Sequence, residues 1–319
     1  MTPTLSRVNP FACPGRWLKG AIHFHTKASD GHLEPDAVVA LLKSRGYDFM
    51  CIGDHWCVTV PSDPDNRILI IPGCEIDTWT DDTPGNTHLM CVGVTRPPGD
   101  FRPAERPTHR ELWDLAKSIS SFQVLNHPYW STRSTEFIKS YDGLTAIEVY
   151  NHKSEVDNAM GYGEYPWHLL VNEGRHIDAV AVDDAHGGPD TFSHAWLMVR
   201  AADQTQDAVI AALQQGAFYS TRGPLIEDVS FGDDAMHVRC SPVRRIIIRG
   251  NQFFGKVFTA KPGELLTSAS CPINLREMES ARIELEDAAG LKAWSNPFWF
   301  ANTQLNPPTA QRRCGIDPS

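Results

Sequence analysis

Continuous apolar runs recur along the first two thirds of this chain, and many of them end on a histidine or a carboxylate. DFMCIG runs into Asp54-His55, ILIIPG into Cys74-Glu75, FQVLN into His127-Pro128, and Ile177–Val182 into Asp183-Asp184-Ala185-His186. A strand at Lys19–His25 carries His23 and His25, and THLMCVGV gives a strand that starts at His88. Helical spacing of apolar residues separates the runs, at Pro35–Ser44, Thr108–Ile119, Trp167–Gly174 and TQDAVIAALQQG. Strands without polar alternation are buried on both faces, which is the mark of parallel βα units. About seven such units fit before residue 225. Polar residues gathered at strand ends favour a closed or distorted (β/α)7 barrel over an open sheet, because a barrel brings those ends to one mouth.

Two residues apart on a strand, His23 and His25 project to the same side, while Ile22 and Phe24 face the opposite way. Asp30 follows in a Ser-Asp-Gly turn. Imidazole and carboxylate are the usual ligands of zinc, manganese or iron. The residues of this type beside predicted strands are His23, His25, Asp30, His55, Glu75, His88, His127, Asp184 and His186. Buried together without a cation, such a set is costly. His32, His109, His152, His168, His176, His194 and His237 read as ordinary core or surface histidines.

From about Ile226 the pattern changes to short alternating segments, MHVRC, RRIIIRG, GKVFTA, ARIELED and AWSNPFWF, separated by FGDD, KPGE and DAAG. This predicts a small antiparallel, sandwich-like β-domain over 226–301, separable from the barrel near Pro224. Residues 1–18 read as an irregular lead-in, 19–225 as the barrel, and 302–319 as an extended tail, while INLREMESA has room for a helical turn. The formal net charge of −10 argues against nucleic acid or an anionic membrane as the main partner. No apolar leader or transmembrane run is present, and eight scattered cysteines form no CxxC pair, so a soluble, cytoplasmic protein with reduced thiols is expected. Oligomeric state is not legible.

In this order, HFHTKASDG, GDHW, PGCEI, THLM, NHP and DDAH resemble the polymerase-and-histidinol-phosphatase (PHP) superfamily, over roughly residues 19–225. EVYN at 148–151, ALQQGAFYSTRGP at 212–224 and AWSNPFWF are similar to its carbaryl-hydrolase-like branch (CehA/McbA). The resemblance implies a distorted seven-stranded barrel with two or three divalent metals, zinc, manganese or iron, at its mouth. It implies that His23, His25 and Asp184 hold one metal and that Glu75 bridges. His88 and His127 then serve a second metal, and Asp30, His55 and His186 a third. The chain departs from the family at Gly53, where Thr is usual, and at Asp183, where Ser is common. Asp54 reads as a support for its neighbour His55.

The implied activity is a metal-dependent phosphoesterase acting on a small phosphomonoester or diester. Two bridged metals about 3.5–4 Å apart would activate a hydroxide and neutralise charge on the phosphoryl group. Glu75, Asp184 and His186 are the expected catalytic residues, with His186 or His55 serving the leaving group if the third site is empty. No Gly-rich phosphate loop is present, so a basic side chain is expected to help, Arg222 first, with Lys27 and Arg133 behind it. Hydrolysis of a carbamate or carboxylic ester by the same cluster is the alternative, and a non-catalytic metal-binding module is the alternative of another class.

Overall fold

The computed structural model describes residues 4–80, 83–99, 107–232, 235–252, 254–273 and 278–301. The extended tail expected at 302–319, and most of the turn expected in INLREMESA, lie outside these residues. In chain order the first two thirds comprise β1 (Arg16–Ala21), α1 (Pro35–Ser44), β2 (Phe49–Cys51), β3 (Leu69–Ile71), β4 (Gly73–Thr80), β5 (Thr83–Val94), α2 (His109–Ile119), β6 (Ser120–Leu125), α3 (Thr135–Lys139), β7 (Ala146–Asn151), α4 (His152–Asn158), α5 (Glu164–Asn172), β8 (Asp178–Val182), β9 (Trp196–Ala201), α6 (Gln206–Gln214) and β10 (Phe218–Thr221).

The helices begin where local chemistry starts them. Thr108 caps α2 and forms a reciprocal capping box with Glu111, whose side chain accepts from the Thr108 backbone. Pro35 opens α1, and Val38, Val39 and Leu42 form its buried face. Gly46 follows in the left-handed region at φ 71°.

The architecture is mixed α/β, and the all-parallel expectation needs correction. β1–β2, β2–β3, β6–β7 and β7–β8 pair in parallel. β1–β9, β9–β10, β4–β5 and β5–β6 are antiparallel. Burial on both faces produces the same apolar run in either direction, so the composition of the runs did not reveal strand polarity. β4 to β8 form one sheet, while β3, β2, β1, β9 and β10 lie side by side in another. Beyond their regular ends the strands of the two sheets meet. Phe24 bridges Ala185 and His55 bridges Glu75, both in parallel register, and the Gly53 N–H donates to the Phe24 carbonyl. His23 and His25 therefore lie on the continuation of β1 rather than within it.

The last third holds β11 (Ile226–Phe231), β12 (Ala235–Val243), β13 (Arg245–Gly250), β14 (Gly255–Thr259), β15 (Leu266–Pro272), β16 (Ser280–Glu286), β17 (Lys292–Ser295) and β18 (Phe298–Trp299). Its strands are antiparallel, as expected. It is not set apart, however. β17 pairs with β10, so β13, β14, β16 and β17 extend the sheet of β1, β9 and β10. Trp294 is fully buried in the cluster packed around α2, α5 and β4–β8. The Asn296 carboxamide accepts from the Ala179 N–H and donates to the Gly216 and Phe218 carbonyls. The lead-in is also tied down: Arg7 makes a two-armed ion pair with buried Asp178, at 2.7 and 2.9 Å. Among the described residues no helix is long and apolar enough to cross a membrane.

Candidate metal centre

All nine histidines and carboxylates singled out at strand ends converge where the two sheets meet. Three groups of side chains stand close enough to share an ion: His23, His25 and Glu75; His55, Glu75 and His88; and His25, Asp30, His55 and His186. Glu75 is at the centre and 1% exposed. Its Oε2 lies 3.5, 3.4 and 3.4 Å from Nε2 of His23, His25 and His55. Its Oε1 lies 3.0 Å from His88 Nδ1 and 3.6 Å from His127 Nε2. Asp184 Oδ1 is 3.2 and 3.1 Å from Nε2 of His23 and His25. Asp30 Oδ2 faces Nε2 of His186 at 3.3 Å and of His55 at 3.8 Å.

The imidazoles are oriented from behind. His23 Nδ1 contacts Glu148 Oε1 at 2.6 Å, and His55 Nδ1 contacts Asp77 Oδ2 at 3.0 Å. His127 Nδ1 meets Ser131 Oγ at 2.9 Å, and His186 Nδ1 meets the Asp184 carbonyl at 2.7 Å. With Nδ1–H donating outward, each Nε2 presents a lone pair to the centre, the arrangement typical of metal-ligating histidines. Asn126 donates to Glu75 Oε1 at 2.6 Å and fixes that carboxylate too.

Backbone geometry is bent to serve the site. His127 and Asp184 have φ of 26° and 52°, a region that non-glycine residues seldom occupy and that is concentrated at functional positions. A Cβ at Gly31 would come within 2.4 Å of the His25 backbone, so only glycine closes the turn that presents Asp30. A Cβ at Gly53 would stand 3.0 Å from the His23 ring, a tight contact that its glycine relieves. Asp54 does not touch the cluster through its carboxylate. That group instead accepts from the Thr26 N–H at 2.7 Å, Thr26 Oγ1 at 2.6 Å and Ser29 Oγ at 2.9 Å, and holds the 26–30 loop.

The charges are mutually dependent. Burial opposes ionisation of Glu75 and Asp184, yet the surrounding imidazoles, His23 first, hold both carboxyls below the usual carboxylate range. Burial likewise disfavours the His23 imidazolium, but Asp184, Glu75 and Glu148 hold it well above its ordinary value. For His25 burial wins, and its pKa falls. Within the cluster, His25 Nδ1 and Asp184 Oδ1 are buried without a hydrogen-bond partner. Orphaned atoms of ligand type, inside a set of imidazoles and carboxylates, fit divalent cations.

The basic residues fare differently. Arg222 packs its guanidinium 4.0 Å over the Tyr150 ring and donates to Tyr162 Oη at 2.7 Å. It does not line the cavity over the cluster. Lys27 pairs with Glu34 at the surface, and Arg133 donates to the carbonyls of Gly85 and Asn86. Among the described residues, the Lys or Arg side chain that does line the cavity is Lys153, on α4. HKSEVDN has little apolar periodicity, so neither this helix nor its lysine was legible beforehand. Glu148 was visible only as the first residue of the EVYN segment, which carried the signal.

No protein-family model and no curated protein matches the sequence. Among solved structures, the chain is similar to a two-domain protein from Bacteroides vulgatus ATCC 8482 that contains a predicted PHP-like metal-dependent phosphoesterase. The identity is 17% and the TM-score 0.52, over 89% of this chain and 96% of that one. That likeness shows a shared fold. A candidate metal-dependent phosphoesterase from Bifidobacterium adolescentis ATCC 15703 aligns with 53% of this chain and 87% of its own, at 17% identity and TM-score 0.39. An amidohydrolase from Chromobacterium violaceum with bound sulfate and no metal aligns with 54% and 89%, at 14% identity and TM-score 0.39.

Proposed function

We propose that this chain is a metal-dependent hydrolase of the PHP superfamily, in its carbaryl-hydrolase-like branch, acting on a small phosphomonoester or phosphodiester. On this reading the strand ends that meet around the cluster are the mouth of a distorted seven-stranded barrel. The observation that carries the proposal is the division of Glu75, with one oxygen toward His23, His25 and His55 and the other toward His88 and His127. A carboxylate so placed is suited to bridge two cations.

His23, His25 and Asp184 would hold one cation, His88 and His127 a second, and Asp30, His55 and His186 a third, with Glu75 shared. Bound there, divalent metals supply Lewis acidity for a phosphoryl oxygen and acidify water. The protein's own groups do the rest. Glu148 and Asp77 keep His23 and His55 in the required tautomer. Trp130 stands edge-on to His88 and His127, at 5.9 and 4.9 Å between ring centres, and lines the cavity beside them. His186, if not itself a ligand, lines the cavity and can deliver a proton to a leaving oxygen. A small-molecule substrate suits a cavity of about 270 Å³.

The test is elemental analysis of the purified protein followed by a screen of phosphomonoesters, phosphodiesters, carbamates and carboxyl esters, with zinc, manganese or iron supplied. Metal-dependent turnover of a phosphoester, lost in Asp184→Asn, is the expected result. Turnover of carbonyl esters alone, or metal binding with no turnover, would overturn it.

A further inference from the structure

α4 forms one wall of the cavity over the cluster, through Lys153, Ser154, Asp157 and Asn158. The helix is locked to the cluster by Asn151. Its Oδ1 accepts from the Ser154 N–H at 2.9 Å. Its Nδ2 donates to Glu148 Oε2 at 2.9 Å and to Asp184 Oδ2 at 3.1 Å. The Lys153 N–H donates to the Asp183 carbonyl at 3.1 Å, beside the Asp184 ligand position. The lysine's backbone is thus held against the cluster, while its side chain, 38% exposed, runs along the same helix to Asp157 at 2.5 Å. No other Lys or Arg among the described residues lines this cavity, whereas Asp30, Glu75, Asp157 and Asp184 do.

We infer that Lys153 is a substrate-binding residue that takes the non-bridging oxygens of a phosphoryl group, exchanging Asp157 for the substrate, and that it selects phosphomonoesters over diesters. The inference rests on the phosphoesterase reading above. A monoester carries close to two negative charges at neutral pH and a diester one, so a single added cation favours the monoester. Ammonium-to-phosphate contact is charge-assisted, and the carboxylate of Asp157 holds the lysine ready but competes for it. An exposed Lys–Asp pair within one helix stabilises little, so breaking it costs the fold little.

The experiment uses the full chain loaded with zinc, as wild type, Lys153→Met, Lys153→Arg and Asp157→Asn. Binding of inorganic phosphate is measured by calorimetry and by phosphorus NMR, beside kcat and KM for a monoester and a diester. Lys153→Met should keep wild-type zinc content and weaken phosphate binding about tenfold, the scale of one charge-assisted hydrogen bond. It should raise KM for the monoester more than for the diester. Lys153→Arg should restore most of the loss, and Asp157→Asn should tighten phosphate. Unchanged phosphate affinity in Lys153→Met, an equal KM change for both esters, or lost zinc would each overturn the assignment. A wild type that hydrolyses no phosphoester sinks the phosphoesterase reading instead, and the phosphate titration still reports on Lys153 separately.

Discussion

The Glu148 carboxylate holds His23 from across the fold: Oε1 meets His23 Nδ1 at 2.6 Å, while Oε2 accepts the His127 N–H at 2.7 Å. One side chain on β7 thus aligns the first histidine of the chain's metal set and the backbone of another. Glu148→Gln turns one of its oxygens into an N–H donor, which then faces either the His23 N–H or the His127 N–H. Metal affinity should fall about ten- to a hundredfold with the ligands themselves intact. Competition against a zinc chelator measures it, and an unchanged affinity would show that His23 needs no such support.

Removing the Glu75 carboxylate should reduce metal content more than removing one imidazole. Glu75→Ala loses a group facing both histidine sets, whereas His127→Ala loses a group facing one. Elemental analysis of the two variants beside wild type gives the answer. A Glu75→Ala protein with full metal and full activity would eliminate the shared carboxylate and the two-cation mechanism with it.

Metal binding should strengthen as pH rises from neutral. Burial disfavours the charged His55 ring, but Glu75, Asp77 and Asp30 outweigh it and hold the pKa near about 9, above the ordinary 6.5. Because the folded value is raised, the protonated ring stabilises the metal-free fold below pH 6.5, and that contribution fades as pH climbs through about 9. A cation requires the neutral ring, so its affinity moves in the opposite direction and protons are released on binding. Zinc titrations near neutrality and about one and a half units higher, in buffers of different ionisation enthalpy, count those protons. A pH-independent affinity without proton release would remove His55 from the ligand set.

A chain ending at Pro224 should not fold into a metal-binding unit. It lacks β17, the neighbour of β10, and the Trp294 side chain, whose Nε1 donates to Glu164 at 2.7 Å. Losing a fully buried tryptophan alone costs about 3–5 kcal/mol, a large part of a domain's stability. Circular dichroism and zinc content of the truncated chain check this. A folded, metal-loaded fragment would mean that the shared sheet contributes little.

Much of the centre was legible in the sequence because its chemistry is local. His23 and His25, Glu75, His127, Asp184 and His186 stand beside apolar runs, and a strand end is recognisable from its neighbours alone. The α1 helix was legible in the same way, through Pro35 and the spacing of Val38 and Leu42. Strand direction was not, since a run buried on both faces reads alike in parallel and antiparallel pairs, as at β4–β5. Nor was the union of the last third with the first, because β10 and β17 recognise one another by backbone hydrogen bonds and by Trp294 packing, not by a motif. The fate of the basic residues belonged wholly to the tertiary structure. Arg222 is drawn away by Tyr150 and Tyr162, while Lys153 is carried to the cavity by an Asn151 that bonds at once to Glu148, Asp184 and Ser154. Which residues are able to bind a cation follows from side-chain chemistry and can be read along the chain. Which of them meet, and which charge lines the cavity, was decided by contacts between distant segments whose geometry exists only once the sheets have closed on one another.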